Sequence, residues 1–313
     1  MASSRVVFER TGDGSTVPAG LPLVVLLTGF TDAGGAVSGA VDYFRSRVEL
    51  TPLATFDDDE LLDFRARRPI ITFDRDHFTD YVPQRLELSL ARDALGQRFL
   101  LLAGYEPDFA WNAFIAAVLE LASEFAVTSL TWAHAIAMPV PHTRDLGATV
   151  SGNRTELIAS QSAWQPRTQL PATAAHLLEY RAEEIGMDVA GFALLVPHYL
   201  ADTEYPAAIS AVLDRIAAST GRVFDLVELR EENADFLRRV EEQIGGNDEL
   251  GAMLHALEQR YDAYVAHRAA GETTEPLIDE SDLPSADELA AELERFLASR
   301  PTADGEGEGP FLR

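Results

Sequence analysis

The amino-acid sequence predicts an α/β protein in which helices cover the faces of a β-sheet. The first observation is a strongly apolar segment at residues 23–28 (LVVLLT), which a turn rich in Gly and Asp joins to a helical segment at residues 34–47. The second is that strand-like and helical segments alternate over the first two thirds of the chain, as they do where helices pack on a sheet. The third is composition, because 47% hydrophobic and 9% aromatic residues suit a globular fold.

The remaining elements of this part follow from periodicity and from turn residues. Residues 85–91 (RLELSLA) alternate with a period of two, which predicts a strand with one solvated face. Residues 99–103 (FLLLA) form another apolar segment, which leads through Gly104 towards a helix. In chain order, the predicted strands are residues 23–28, 85–91, 99–103, 130–137 and 192–196, and the predicted helices are residues 34–47, 109–125, 171–185 and 205–220.

The chain changes character after about Glu228, where apolar residues recur at helical spacing. A first run ends at Gly245-Gly246-Asn247 and a second run follows it, which predicts a helical hairpin. The apolar positions of the two runs are Phe236, Leu237, Val240 and Ile244, and then Leu250, Leu254, Leu257, Tyr261 and Tyr264.

The last part of the chain carries one further helix signal. Ser285 and Glu288 form a capping box ahead of apolar residues at helical spacing, which predicts a final helix. The run TADGEGEGP beyond Pro301 predicts disorder, because it has almost nothing to bury. We therefore predict a core domain at residues 1–229, C-terminal helices at 230–300 and a disordered tail at 301–313.

Charge and missing residue types exclude several classes of function. The formal net charge is -26, so most of the surface repels the phosphates of nucleic acid. There is no cysteine and every basic residue is arginine, which excludes thiolate ligands, Schiff-base lysines and phosphate-loop lysines. No apolar run approaches the ~20 residues of a membrane span, and the first ten residues lack the apolar segment of a signal peptide. We expect a cytoplasmic protein without nucleic-acid or membrane partners.

The loop after the first strand is one candidate ligand site. It contains Gly29, Thr31, Asp32 and Gly34, and ligands in open α/β sheets collect beyond the carboxyl ends of strands, where free amides at a helix start attract anions. The alternative is that Asp32 caps the following helix while the glycines permit the turn.

Two further pairs of polar residues follow strands. Glu106 and Asp108 could hold a ribose, a metal or a proton, although Asp108 could equally cap the next helix. His142 and Arg144 could bind an anionic group, although His142 could simply make hydrogen bonds within its loop. No spacing typical of zinc sites and no Gly-x-Ser-x-Gly motif occurs, so we predict no metal, no cofactor and no catalytic residue.

Arg65, Arg67 and Arg68 form a basic cluster shortly after an acidic run at residues 57–60. These guanidinium groups could dock an acidic surface or a phosphate. The alternative is that they form ion pairs within the protein or across a subunit interface.

Four of these segments together resemble the proteasome assembly chaperone 2 family, in its actinobacterial branch. The resemblance extends from about Leu23 to Leu229. It rests on GFTDAGGAVSGAVDYF (29–44), DFRARRP (63–69), GYEPDFAWNAF (104–114) and PHTRDLGATVSGN (141–153).

The resemblance implies a three-layer αβα sandwich of the phosphorylase/hydrolase-like kind, with the C-terminal helices added to it. It also implies self-association, with a trimer as the expected form. Relatives of the family act as chaperones or partners of the 20S proteasome. Some of them carry a C-terminal hydrophobic-tyrosine-any motif, whereas this chain ends Phe311-Leu312-Arg313, which argues against docking through that motif.

Two functional interpretations follow, and they belong to different classes. The preferred one is a non-catalytic binding or assembly protein, which forms a homo-oligomer and has the 20S proteasome as a possible partner. The alternative is an enzyme or sensor for a nucleoside-like or phosphorylated small molecule at the strand-end loops. A structure distinguishes them by showing whether Asp32, Glu106 and His142 converge on a pocket or accept backbone hydrogen bonds.

Overall fold

A computed structural model describes residues 7–165 and 167–269. The strands in these residues are β1 (Phe8–Arg10), β2 (Pro22–Thr28), β3 (Glu49–Phe56), β4 (Ile70–Asp74), β5 (His77–Val82), β6 (Glu87–Arg92), β7 (Arg98–Tyr105), β8 (Ser129–Met138), β9 (Ala148–Gly152) and β10 (Asp188–Pro197). The α-helices are α1 (Ala36–Arg47), α2 (Asp58–Leu61), α3 (Trp111–Glu124), α4 (Thr155–Gln161), α5 (Ala174–Glu184), α6 (Pro206–Thr220), α7 (Val227–Gly245) and α8 (Asp248–Ala269).

The main sheet has eight strands in the order β1-β3-β6-β7-β2-β8-β10-β9. Its centre consists of β7, β2, β8 and β10, which are parallel to one another, and the outer strands pair antiparallel. The carboxyl ends of the central strands therefore lie at one edge of the sheet, which we call the strand-end edge. β4 and β5 pair only with each other and form a separate two-stranded ribbon, residues 70–82.

Helices cover both faces of the sheet, which gives three layers. On one face, Leu23 and Val25 of β2 pack in a core with α3 and α5. On the other face, Val24 and Leu26 pack with α1 and α6. Because successive side chains of a strand point to opposite faces, a strand buried on both faces reads as an unbroken apolar run. The three-layer αβα prediction is confirmed.

Every strand and helix that we predicted up to residue 220 is present, with ends shifted by a few residues. The solvated face predicted for residues 85–91 is wrong, because Ser89 and Ala91 are buried as well as Leu88 and Leu90. The prediction missed β1, β3, β4, β5, β9 and the short helices α2 and α4. β3 contains Pro52 and a register shift beside it, so its sequence lacks a clean alternation. The ribbon strands are exposed on both faces, so burial imposes no pattern on them either.

The predicted helical hairpin is formed by α7 and α8. The amides of Glu249 and Leu250 donate to Asn247 Oδ1 at 3.0 and 3.2 Å, which caps α8 after the break between the helices. Phe236 of α7 packs against Tyr205, with 5.3 Å between the ring centroids and 31° between the ring planes, so this helix packs on the core of its own chain.

The chain divides into two compact units, Met1–Tyr261 and Asp262–Arg313. The described residues of the second unit form the end of α8. The predicted final helix and the predicted tail lie outside the described residues, and the domain boundaries at 229 and 300 stay predictions. Over the ranges described, no helix has both the length and the apolar character needed to cross a bilayer.

Candidate functional site

The strand-end edge brings two of the predicted sites together. β2 and β7 are neighbours, so the loop that starts at Gly29 lies beside Glu106 and Asp108. The amide of Glu106 donates to the carbonyl of Thr28 at 2.7 Å, which joins the two loops at their start.

Asp32 caps the helix that follows its loop. Its Oδ1 accepts from the amide of Val37 at 2.8 Å and its Oδ2 accepts from the amide of Ser38 at 2.9 Å. These amides belong to the first turn of α1, which has no partner for them within the helix. Both carboxylate oxygens are therefore engaged with backbone.

Gly34 lets this loop pack against the end of the sheet. Its φ of 71° is in the left-handed region, and an added Cβ would lie 3.2 Å from Tyr205 Cβ and from Val196 Cγ1. Its amide donates to the carbonyl of Ala201 at 2.7 Å and its carbonyl accepts from the amide of Tyr205 at 2.9 Å. Gly34 thus joins two loops, while Thr31 is exposed.

Asp108 is the partner of Arg67. Arg67 Nε donates to Asp108 Oδ2 at 3.1 Å and Arg67 Nη2 donates to Oδ1 at 2.8 Å, so the pair is bidentate. The amide of Asp63 also donates to Asp108 Oδ2, at 2.8 Å. The two side chains are only 16% and 21% exposed, so water screens this pair weakly. The N-cap residue of α3 is Ala110, and no side chain caps this helix. The alternative in which Asp108 caps α3 is therefore wrong.

Arg67 also ties the basic segment to the rest of the edge. Its Nη1 donates to the carbonyl of Gly29 at 3.3 Å, and its guanidinium lies 5.3 Å from the centroid of the Tyr105 ring. The neighbouring arginines point elsewhere: Arg65 pairs with Asp63, and Arg68 is exposed. Of the three arginines, Arg67 is the one that fixes the position of the chain leading into the ribbon.

Glu106 is buried and accepts a hydrogen bond from the first amide of α5. The distance from Ala174 N to Glu106 Oε1 is 2.5 Å. Burial raises the pKa of this carboxyl, and the hydrogen bond from Ala174 opposes that rise. A carboxylate at a helix N-terminus is also stabilised by the helix dipole.

A cluster that the sequence did not reveal lies beneath this edge. Trp132 and His134 are two residues apart on β8 and therefore share the face that α5 covers. Trp132 Nε1 donates to Glu179 Oε2 at 2.6 Å, and the His134 and His176 rings lie 6.2 Å apart. Burial is the main cause that lowers the pKa of His134 to about 4, with the charge of His176 adding to it. Nothing in the local sequence pairs β8 with α5, so only the fold could reveal this cluster.

His142 and Arg144 lie apart from these residues, on the loop between β8 and β9. They line a cleft of about 650 Å³ with residues of α6 and α7, and neither Asp32 nor Glu106 lines it. The ligand-site residues that we predicted therefore fall into two groups. In residues 7–165 and 167–269, no group of three or more His, Asp or Glu side chains is placed to hold a metal ion.

The ribbon is the most exposed apolar feature of the described chain. Every residue of β4 and β5 is exposed except Thr79. Phe73 and Phe78 lie opposite each other with ring centroids 5.2 Å apart, and they are 62% and 66% exposed. The other large apolar side chains of the ribbon are Ile70, Ile71, Tyr81 and Val82.

Comparison with known proteins gives a consistent result. A sequence model of the PAC2 family matches residues 26–244. A Mycobacterium tuberculosis protein of unknown function is similar at 38% identity with a TM-score of 0.78, over 85% of this chain and 92% of its own. A Corynebacterium glutamicum protein of unknown function is similar at 32% identity with a TM-score of 0.78, over 83% of this chain and 98% of its own.

A more distant structural neighbour is a Mycobacterium tuberculosis proteasome-assembly chaperone homologue. It is 22% identical with a TM-score of 0.67, over 75% of this chain and 100% of its own, which shows the shared fold. Among curated proteins, none matches the chain.

Asp32→Ala should destabilise the protein by about 1 to 2 kcal/mol, because two amides of α1 lose their acceptors. Urea unfolding followed by circular dichroism measures the change. Asp42→Ala, on an exposed position of the same helix, should change stability by less than about 0.5 kcal/mol. Equal effects of the two substitutions would contradict the capping role.

Arg67→Met should destabilise the protein by about 3 kcal/mol, because it leaves the carboxylate of Asp108 largely buried without its counter-ion. Limited proteolysis should also cut the segment between residues 63 and 82 faster. Arg68→Met is the matched control, since this neighbouring arginine is exposed. If both variants unfold at the same urea concentration as the wild type, Arg67 does not anchor this segment.

Acid should destabilise the protein through His134. The pKa of this imidazole is lowered in the folded state from 6.5 to about 4, so the unfolded chain binds the proton first as the pH falls. Stability is thus unaffected by this group above pH 6.5 and should fall by about 3 kcal/mol between there and pH 4.

Urea unfolding of the wild type and of His134→Gln at several pH values tests this. The variant should lose less stability over the same pH range. His77→Gln, in the exposed ribbon, should keep the wild-type pH profile. Parallel profiles for the wild type and His134→Gln would refute the assignment.

Proposed function

This chain belongs to the PAC2 family, as its sequence resemblance indicated, and from this premise we propose that it is a non-catalytic binding and assembly protein. It acts in the cytoplasm as a homo-oligomer, with a trimer as the expected form. Its ribbon is the element that contacts neighbouring subunits. The 20S proteasome is the partner that the named chaperone homologue among its structural neighbours suggests.

The exposed ribbon is the observation that carries this proposal. Six large apolar side chains lie on thirteen residues of chain, 70–82, and each is between 48% and 71% exposed. Ile70 and Ile71 are consecutive in a strand, so they point to opposite faces and both faces of the ribbon are apolar. Monomeric proteins rarely expose contiguous apolar surface larger than a few hundred Å², and larger patches mark protein interaction sites.

The energetics of a two-stranded ribbon favour a partner. An isolated hairpin is only marginally stable in water, because it has no face on which to build a core. Burial of each large apolar side chain contributes about 1.5 to 3 kcal/mol. A neighbouring subunit that covers Phe73, Phe78 and the apolar residues beside them would therefore stabilise the ribbon, and the same burial would contribute to the affinity between subunits.

The root of the ribbon is held in place before any partner binds. The pair between Arg67 and Asp108 fixes the chain immediately ahead of β4, and the buried Leu86 fixes the chain after β5. A docking element with a fixed root loses less conformational entropy on binding than a free loop does. This arrangement supports a binding role for an element whose two strands pair only with each other.

The strand-end loops give less support to the alternative, an enzyme or sensor for a small molecule. A ligand there would need the carboxylates of Asp32, Glu106 and Asp108. Each of them already accepts hydrogen bonds from backbone amides, and Asp108 also pairs with Arg67. At the same edge, the Thr173 hydroxyl lies 2.8 Å from His176 Nδ1, and these two residues form the capping box of α5. Their hydrogen bonds thus have a structural role, and the proposal includes no catalysis.

Replacing both ribbon phenylalanines, F73S together with F78S, tests the proposal. We expect the wild type to be an oligomer at micromolar concentration and the double variant to be largely monomeric, because the substitutions remove the central apolar pair. Size-exclusion chromatography with light scattering measures the mass, and circular dichroism checks that the fold is intact. Tyr180→Ser removes a similarly exposed aromatic residue from α5 and should leave the oligomer unchanged.

Co-sedimentation with purified 20S proteasome tests the partner separately. The wild type should sediment with the proteasome and the double variant should do so at least several-fold less. A monomeric wild type would contradict self-association, and an oligomeric double variant would contradict the role of the ribbon. An oligomer that never sediments with 20S particles would remove the proteasome from the proposal while keeping self-association.

A further inference from the structure

The cleft beside His142 contains buried polar atoms without hydrogen-bond partners. It lies between the loop after β8 and helices α6 and α7, and its volume is about 650 Å³. In the described part of the chain, the side-chain atoms without a partner that belong to its lining residues are His142 Nε2, Ser210 Oγ, Arg215 Nε and Asn233 Oδ1. Buried polar groups in folded proteins nearly always have a partner, so such a concentration around one cleft calls for an explanation.

Arg215 supplies a cation to the wall of this cleft. Its Nη1 donates to Gln161 Oε1 and its Nη2 donates to the carbonyl of Leu146, both at 3.1 Å. Among the described residues no carboxylate lies within ion-pair distance of it, and burial lowers the pKa of its guanidinium. The charges of Asp214 and Asp145 oppose this lowering of the pKa, but neither carboxylate contacts the guanidinium. An anion in direct contact with Arg215 would offset the rest of the desolvation cost.

His142 presents a hydrogen-bond donor to the same wall. The residue is buried, with 6% of its surface exposed. The hydroxyl of Tyr199 accepts from the amide of His142 at 2.8 Å and can therefore give its own proton to Nδ1, also at 2.8 Å. Burial lowers the pKa of His142, which favours the neutral ring. When Tyr199 donates to Nδ1, the one proton of the neutral ring is on Nε2. This donor is the atom without a partner.

The charges around the cleft limit the size of an anion that fits. Arg144, Arg215 and Arg230 line it, and so do Asp145 and Asp214. Glu258 of α8 accepts from Thr143 and pairs with Arg144 at 3.4 Å, so part of the positive charge is already compensated. The three arginines and these three carboxylates balance, so no net positive field attracts an extended polyanion. Only the local donors of Arg215, His142 and Ser210 favour a single small anionic group.

We propose that this cleft is a binding site for a small oxyanion, either a carboxylate or a phosphate group. Arg215 supplies the charge, and His142 Nε2 and the hydroxyl of Ser210 supply hydrogen bonds to the ligand oxygens. The amide of Asn233 binds a hydroxyl next to the charged group. In the observed conformation the four unpartnered atoms are covered, so the ligand enters by displacing side chains of the cleft wall.

The site is independent of the proposed assembly function. It uses the loop after β8 with α6 and α7, and no residue of the ribbon or of its root lines the cleft. It also differs from the strand-end loops, whose carboxylates are engaged with backbone amides. Its ligand would stabilise the contact of α7 with the core, because Arg230 and Asn233 belong to that helix.

Titration calorimetry of the full chain tests the site with inorganic phosphate, sulfate, acetate and citrate at constant ionic strength. Thermal unfolding is followed in parallel, with chloride as the reference salt. We expect saturable binding of at least one oxyanion in the millimolar range or tighter, with a matching rise in unfolding temperature. Saturation separates binding from the general stabilisation by phosphate and sulfate, which grows steadily with concentration.

Variants assign the binding to the cleft. Arg215→Gln should weaken it by about tenfold, the value of one hydrogen bond to a charged group. Ser210→Ala should weaken it by about threefold while the unliganded unfolding temperature stays unchanged or rises, because the removed hydroxyl has no partner in the free protein. That opposite sign separates a ligand contact from a structural role.

Arg222→Gln is the matched control. Arg222 is also partly buried and donates to neutral acceptors, the carbonyl of Arg98 and Gln97 Oε1, but it does not line the cleft. It should reduce stability and leave oxyanion binding as in the wild type.

Selective binding of phosphate and sulfate would identify a phosphorylated ligand, and selective binding of acetate and citrate would identify a carboxylate. The proposal would be overturned if the wild type showed no saturable binding, or if Arg215→Gln and Ser210→Ala bound oxyanions as tightly as the wild type does.

Discussion

The bidentate pair between Arg67 and Asp108 is the interaction on which the strand-end edge depends. It connects three segments that are far apart in sequence: the loop after β2 through Gly29, the end of β7 through Asp108, and the basic segment before the ribbon. An apolar pair of similar volume could match its contribution to stability. It would not fix the relative orientation of the segments, whereas two parallel hydrogen bonds between planar groups do. The ribbon therefore leaves the core from a defined position.

The two polar regions of the molecule differ in how their hydrogen bonds are satisfied. At the strand-end edge, Asp32, Glu106 and Asp108 accept from backbone amides and stabilise helix starts and loops. In the cleft, His142, Ser210 and Arg215 are buried or partly buried with atoms that lack a partner. The first arrangement stabilises the fold by itself. The second leaves buried polar atoms without hydrogen bonds, a cost that the proposed ligand would remove.

The charge of the whole chain opposes the association that the exposed ribbon favours. With a net charge of -26, copies of this protein repel one another at long range. At physiological ionic strength this repulsion is screened beyond about 8 Å, whereas contacts between apolar side chains such as Phe73 and Phe78 act only at close range. Charge thus limits nonspecific association, and a localised apolar element can still direct a specific one.

The sequence by itself determined the α/β class, the central strands and their helices. Leu23 to Leu26 are buried on both faces, and such a strand has a sequence signature that needs no knowledge of its neighbours. The sequence also named Asp32, Asp108 and Arg67 as important. It left their roles open, because the same type of residue can cap a helix, form an ion pair or bind a ligand.

Tertiary structure alone decided those roles and revealed the rest. Asp108 was a possible cap by its position, but Arg67 lies 41 residues earlier in the chain and only the fold brings it to 2.8 Å. Ser210, Arg215 and Asn233 had no motif, since each stands in an ordinary helix and their shared cleft exists only once α6 and α7 pack beside the loop of His142. The physical reason is that periodicity records whether a side chain is buried, whereas the partner that it meets depends on contacts between distant segments.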